Sequence, residues 1–295
     1  MRFLETRGGR LEFPFFVPVT TFGRYPLDDL IRPYLPRLCQ AVMVSHYYAQ
    51  KMPAEQRPDL PLFIDSGGFA ALFENSEVVE RNGLGVIVRT EEDKVEEVDP
   101  FDVLEFQEQH ADVAYTLDFP IPPGMERQEA TKRQALTIAN ACWALENRRR
   151  RDLPLYATLV GLTLEDYLAC LRAYNDLPFD GLAIGGLVPR TKKWSQVVSL
   201  ISQIRALTDK PLHAFGIGAP ERVWELFSLG VDSVDSSSFV RAAADGVMWG
   251  NPAKPPKNLS PMERTQIALC NLATVAQAAL PLSATQTFSN LMYQD

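Results

Sequence analysis

Leu62-Phe63-Ile64-Asp65-Ser66-Gly67-Gly68-Phe69 is a short apolar run that ends on a carboxylate and two glycines. The layout returns in Leu117-Asp118, in Ala183-Ile184-Gly185-Gly186-Leu187, in Phe215-Gly216-Ile217-Gly218 and in Val234-Asp235-Ser236. A barrel of parallel strands carries its chemistry at the carboxyl ends of those strands. Three aspartates and three glycine-rich turns at such ends describe a site that grips a flat polar ligand and attacks it with a carboxylate.

Strand and helix signals alternate outward from these segments. Apolar, β-branched or aromatic runs lie at Phe15–Val19, Ala41–Val44, Leu62–Ile64, Val113–Leu117, Leu155–Val160, Leu182–Ile184, Leu212–Phe215 and Val231–Val234. Helical patterns fall at Pro26–Leu38, Pro100–His110, Glu126–Arg151, Leu164–Tyr174, Trp194–Leu207 and Pro220–Leu229. Asp99 stands where a cap for the second of these belongs. This alternation gives an α/β fold on a parallel sheet, and eight strands are the number a (β/α)8 TIM barrel needs. Asn75–Val98 breaks the pattern and predicts a hairpin or flap on the barrel top. Gly250–Ser260, with three prolines and two lysines, predicts a linker, and Pro261–Leu280 a final helix. The expected division is a catalytic barrel over 1–249 and a C-terminal extension over 250–295.

The chain has 295 residues, 46% of them hydrophobic, which is ordinary for a globular protein and excludes disordered and fibrous classes. No uninterrupted apolar run reaches the roughly 18 residues of a membrane span, and the amino terminus lacks the apolar core of a signal peptide. The four cysteines, Cys39, Cys142, Cys170 and Cys270, form no CxxC pair; small buried thiols in a reducing cytoplasm are the expectation. A net charge of −8 argues against unspecific coating of nucleic acid while leaving room for a local basic groove.

Each segment has a chemical reading and a structural one. Ser66, Gly67 and Gly68 let a ligand approach the backbone of their loop, and Phe69 would stack on a planar base; the competing reading is a capped turn with a core phenylalanine. Asp118, before the rigid Phe119-Pro120-Ile121-Pro122-Pro123-Gly124, can accept from the N–H edge of a purine, or can cap a helix. Gly185, Gly186 and Gly216 leave bare backbone after their strands. Asp235 is the nucleophile candidate, and Arg241, six residues on, could pair with it or with a phosphate. A carboxylate that attacks a sugar carbon needs a second acid to protonate the leaving group, and Asp65 supplies it.

In this order, Phe16-Val17-Pro18-Val19-Thr20, Asp65-Ser66-Gly67-Gly68-Phe69, Phe106-Gln107, Asp118, Gly185-Gly186-Leu187, His213-Ala214-Phe215-Gly216-Ile217-Gly218, Asp235-Ser236 and Arg241 resemble the tRNA-guanine transglycosylase family over about residues 12 to 245. The resemblance implies a (β/α)8 barrel that exchanges a guanine already in a polynucleotide for a 7-deazaguanine. By it, Asp235 attacks the sugar C1′ and leaves a glycosyl-enzyme ester. Asp65 serves as general acid and then as general base. Asp118, Gly185, Gly186 and Leu187 hold the base edge, and Phe69 stacks on its face. No cofactor is implied.

Two departures matter. The tRNA enzymes carry a zinc site after the barrel, built from a CxCxxC cluster and a later histidine. Here Cys270 is the single cysteine beyond Arg241, so no metal is expected. Where the family has a Gln-Gly-Gly turn after the fifth strand, this chain has Thr158-Leu159-Val160-Gly161-Leu162 with no glutamine, and Ala70 stands where the family usually has glutamine, so the base carbonyl falls to backbone amides or the specificity differs. Relatives that act on DNA, in phages and bacterial genomic islands, insert 7-deazaguanines such as 7-cyano-7-deazaguanine and share mainly the barrel. DNA is therefore favoured over tRNA as polymer partner, with helper proteins and oligomeric state open. A glycosyltransferase joining a free deazapurine to a small sugar donor, and a non-catalytic partner subunit, are the alternatives. Arg190, Lys192 and Lys193, after the sixth strand, are the phosphate candidates, with Trp194 beside them as a stacking surface or core residue. Arg148-Arg149-Arg150-Arg151 is expected as a solvated helix end on the opposite face.

Overall fold

A computed structural model describes residues 2–21, 27–52, 57–91, 94–251 and 258–277. Strands β1 (Phe3–Thr6) and β2 (Gly9–Glu12) pair as an antiparallel hairpin. Strand β3 (Phe15–Thr20) leads to α1 (Asp28–Ile31), a 3-10 turn at Arg32–Tyr34 and α2 (Leu35–Leu38). The single helix expected over 26–38 is thus cut into three pieces, since Pro33 and Pro36 each start a new one and donate no N–H. Its expected first residue, Pro26, lies outside the described residues, as do Lys254 and Lys257 of the linker.

Strand β4 (Val42–Ser45), helix α3 (His46–Ala49) and strand β5 (Leu62–Asp65) follow, then a 3-10 turn at Gly68–Leu72. Strands β6 (Ser76–Arg81), β7 (Leu84–Glu91) and β8 (Lys94–Val98) form an antiparallel sheet of three strands. Asn140, fully buried, fastens that sheet to the barrel: its amide accepts from Gly85 N–H and donates to the carbonyls of Gly85 and Leu117. Helix α4 (Pro100–His110) keeps its expected bounds, and Asp99 accepts from Phe101 N–H at 2.7 Å as its cap. The remaining elements are β9 (Val113–Tyr115), α5 (Arg127–Asn147), β10 (Leu155–Leu159), α6 (Leu164–Tyr174), β11 (Gly181–Ile184), α7 (Trp194–Arg205), β12 (Leu212–Ala214), α8 (Pro220–Ser228), β13 (Ser233–Ser236), α9 (Ser238–Ala244) and α10 (Pro261–Gln277).

Strands β3, β4, β5, β9, β10, β11, β12 and β13 pair in parallel in that order, and β13 returns to β3, so the sheet is a closed eight-stranded barrel. Phe15, Val17, Met43, Phe63, Tyr115, Tyr156 and Ala183 form one apolar cluster, which Leu4 and Leu11 of the hairpin join. The outward residues of the same strands, among them Val42, Val44, Ile64, Ala157, Leu182 and Ile184, pack with the helices in the main core. Burial of both strand faces is what the nearly continuous apolar runs encode.

The amino-terminal ends of the strands are tied by aspartates. Asp112 accepts from Leu62 N–H and pairs with Arg57, Asp180 accepts from Leu155 N–H and pairs with Arg148, and Asp232 accepts from Leu212 N–H and pairs with Arg2. Arg148 is therefore buried rather than solvated, and α5 stops at Asn147 before the arginine run. Arg150 likewise donates to the carbonyl of Glu108.

Helix α10 packs on α9, α1, α2, α8 and β3. Asn271, fully buried, joins it to the preceding segment: it accepts from Trp249 N–H at 2.7 Å and donates to the carbonyls of Phe239 and Val247. An amide so placed leaves three polar groups unpaired when removed. Asn271→Ala should therefore lower the unfolding free energy by about 2–4 kcal/mol in urea melts, whereas the exposed Thr274→Ala should change it by less than about 0.5 kcal/mol.

Candidate active site

The carboxyl ends of β5, β9 and β13 bring three aspartates into one electrostatic cluster. Asp65 closes β5 beside Ser45, its register partner on β4. Its Oδ1 accepts from Gly67 N–H at 2.7 Å, and the Ser45 side chain hydrogen-bonds it as well. Burial pushes Asp65 up to about 6, and the charge of Asp235 pushes the same way against those hydrogen bonds. A carboxyl held there is part protonated near neutral pH.

Asp118 follows β9 and is buried. Burial raises it to about 7, opposed by the Ser66 hydroxyl that donates to its Oδ1 at 3.1 Å and helped by Asp65. The turn after β5 accounts for this proximity. Gly67 has φ +75°, a left-handed conformation that favours glycine, and a Cβ on Gly68 would lie 2.1 Å from the Asp118 carbonyl oxygen. The Gly67-Gly68 pair thus lets two loops touch with carboxylates on both. Phe69, next in that turn, is 67% exposed, edge-on to Phe73; it is a free aromatic face rather than a core residue.

Asp235 lies within β13 and is buried, its Oδ1 accepting from Gly216 N–H at 3.0 Å and lying 3.1 Å from His213 Nε2. Nδ1 of the same imidazole lies 2.8 Å from Ser233 Oγ. Strand period explains the set: Ser233 and Asp235 share one face of β13, His213 lies on β12 with Phe215 just past its end, and His213 pairs in register with Ser233. Tyr115, below them, packs its ring 5.1 Å from His213 and 5.0 Å from Phe215; burial raises its hydroxyl well above the usual range, with Asp235 and Asp65 adding to the rise. Ser45, Tyr115, His213 and Ser233 were given no role by the sequence reading. Ser233 stands two positions before Asp235 and Ser45 pairs with Asp65; Tyr115 and His213 each precede a predicted site residue, Asp118 and Gly216, by three positions.

Gly185 and Gly186 follow β11 close to Asp118, since a Cβ on Gly185 would lie 3.5 Å from Asp118 Oδ2. Gly185 N–H is committed to Leu159 O and its carbonyl to the Tyr167 hydroxyl. The amides of Gly186 and Leu187 meet no main-chain acceptor among the described residues. The Leu187 side chain is fully buried, so a contact from this position comes from the main chain. Val160, in the turn that carries no glutamine, sits in an apolar cluster with Ile121 and Ala130.

The basic candidates divide. Arg190 donates to the carbonyls of Ile121, Gly186, Gly161 and Leu162, so its guanidinium clamps three loops of the catalytic face together. Lys192 and Lys193 are exposed on the same face. Trp194 gives its indole N–H to Glu225 and lies under Arg222. Arg241 is exposed on α9 and makes no ion pair with Asp235 among the described residues. The four cysteines are free, and the described residues hold no group of three His, Cys, Asp or Glu able to bind a metal; Cys270 in α10 does not fit the family's zinc site. No helix among the described residues is long and apolar enough to cross a membrane.

The family described as queuine tRNA-ribosyltransferase matches residues 2–271. The tRNA-guanine(15) transglycosylase of Methanocaldococcus jannaschii is 33% identical over 157 residues, 50% of this chain and 24% of its own length. That of Pyrococcus furiosus is 26% identical over 254 residues, 82% of this chain and 40% of its own. The queuine tRNA-ribosyltransferase of Helicobacter acinonychis is 27% identical over 266 residues, 83% of this chain and 71% of its own. The chain thus spans less than half the length of the archaeal relatives. With a family match over nearly the whole chain and the aspartate cluster at the expected strand ends, the chain belongs to the queuine tRNA-ribosyltransferase family.

Proposed function

We propose that the protein is a pentosyltransferase that exchanges guanine in a polynucleotide for a 7-deazaguanine through an aspartyl-sugar ester. The observation that carries this reading is the placement of Asp235, ordered by two contacts to one oxygen, and Asp65 at the carboxyl ends of strands in one closed barrel, near enough for the charge of one to act on the other. A nucleophile and an acid on one cavity are what a double displacement at C1′ requires. Asp235 attacks C1′ as the C1′–N bond breaks, and Asp65 gives its proton to the departing base. The incoming base returns a proton to Asp65 and takes the sugar from Asp235. Asp118, raised to about 7, faces the N–H edge of the base. Main-chain groups at Gly186 and Leu187 face its other polar atoms, and Phe69 covers its plane. The target nucleotide leaves any duplex stack to enter.

The polymer in this proposal is DNA, because the segment after Arg241 offers one cysteine and an amide-tied helix where the tRNA enzymes carry a zinc module. The tRNA reading is favoured by the names of the relatives. Lys192 and Lys193 are the phosphate contacts in either case. Labelled guanine incubated with DNA, tRNA or free nucleosides separates the readings by which acceptor retains label. Asp235→Ala should lower incorporation by about 10⁴-fold or more with an unchanged thermal melt; full exchange would remove the nucleophile assignment.

A second prediction concerns the acid. Ester formation needs the neutral Asp65 carboxyl, whose population falls as pH rises through about 6. The single-turnover rate of guanine release should therefore decline above that pH. Asp65→Asn should abolish this dependence and slow release by about 10²–10⁴-fold, and an unchanged pH profile would take Asp65 out of the role.

A further inference from the structure

The two oxygens of Asp235 are not equivalent. Oδ1 accepts from Gly216 N–H at 3.0 Å and lies 3.1 Å from His213 Nε2, while no hydrogen bond to Oδ2 is found among the described residues. An oxygen already holding two donors is the weaker nucleophile. A carboxylate can only accept, so Nε2 carries the imidazole hydrogen, and Nδ1, 2.8 Å from Ser233 Oγ, is left to accept the serine hydroxyl proton. Both His213 and Ser233 are buried, and the rings of Tyr115 and Phe215 stand 5.1 and 4.8 Å from the imidazole. Register and packing together hold the ring in one orientation.

We propose that Asp235 attacks through Oδ2, and that His213, its tautomer fixed by Ser233, is a positioning residue that restores Asp235 as a leaving group in the second half of the exchange. The inference rests on the reading of Asp235 as nucleophile. In the first half, an Oδ2 electron pair forms the bond to C1′, and the C1′–N pair leaves with the base, which takes the Asp65 proton. In the second half, the incoming base loses a proton to Asp65 and bonds to C1′, and the C1′–Oδ2 pair returns to the carboxylate. As that bond breaks, negative charge develops on Oδ1, which has been the ester carbonyl. The His213 and Gly216 donors already point at it. Donors aimed at developing charge assist the step in which it appears. In the first half the same charge is lost, so the donors do not assist there. The signature is a split between the two half-reactions, which a purely structural role does not produce.

The test uses the full chain, labelled guanine and the polymer, DNA or tRNA, that the unaltered protein labels. Covalent adduct is followed by intact mass after mixing with polymer alone, and its decay after adding guanine. His213→Phe should form adduct within about threefold of the unaltered rate, yet release it about 10- to 100-fold more slowly, so that adduct accumulates. His213→Gln, whose amide can donate to Oδ1, should recover most of the release rate. Ser233→Ala should slow release several-fold, and it keeps the test open if His213→Phe does not fold. Equal losses in both half-reactions, or release at the unaltered rate in all three variants, would overturn the proposal. Failure of the unaltered protein to exchange label at all would instead overturn the functional reading on which it rests.

Discussion

The parallel ladder between β13 and β3 is the contact on which the rest depends. Ser233–Ser236 pairs with Phe15–Pro18 and turns an open run of βα units into a closed ring. Without closure, Asp235 would sit on an edge strand and Asp65 several strands away. With it, both carboxylates point into one lumen, walled below by Tyr115, Tyr156 and Phe63. The same closure gives the inward residues of β12 and β13 their neighbours, so that Ser233 meets the imidazole of the next strand.

The electrostatics follow from that geometry. Three carboxylates stand at the carboxyl ends of strands of one barrel, and burial together with neighbouring negative charge raises Asp65 and Asp118. Asp235 differs from them by its partners, with a main-chain amide and an imidazole on one oxygen. One fold thus gives chemically similar side chains different surroundings. The opposite end of the barrel uses the same residue type in another way. Asp112, Asp180 and Asp232 are each paired with arginine and bonded to a strand amide.

Much of this was legible in the residues. All eight barrel strands were anticipated within a few positions, because a strand buried on both faces writes a continuous apolar run. Helices α4 and α6 kept their bounds through Asp99 and Thr163, whose side chains cap them. The misread places share a cause, the local signal being outweighed by chain neighbours or by distant partners. Prolines 33 and 36 divided one helical pattern, and the three-stranded sheet needed long-range pairing to declare itself. Arg148 and Arg190 look like free charges in sequence and are structural clamps in space. His213 could be noticed in its motif, but its role depended on Ser233, twenty residues on and adjacent only through the sheet.

The fastening of α10 has a further consequence. One neutral amide there binds three main-chain groups between Phe239 of α9 and Trp249. Removing any one of those bonds strands a main-chain group in the seam where α10 meets α9 and the segment after it. The sequence around Asn271 is bound to shape and hydrogen-bond geometry.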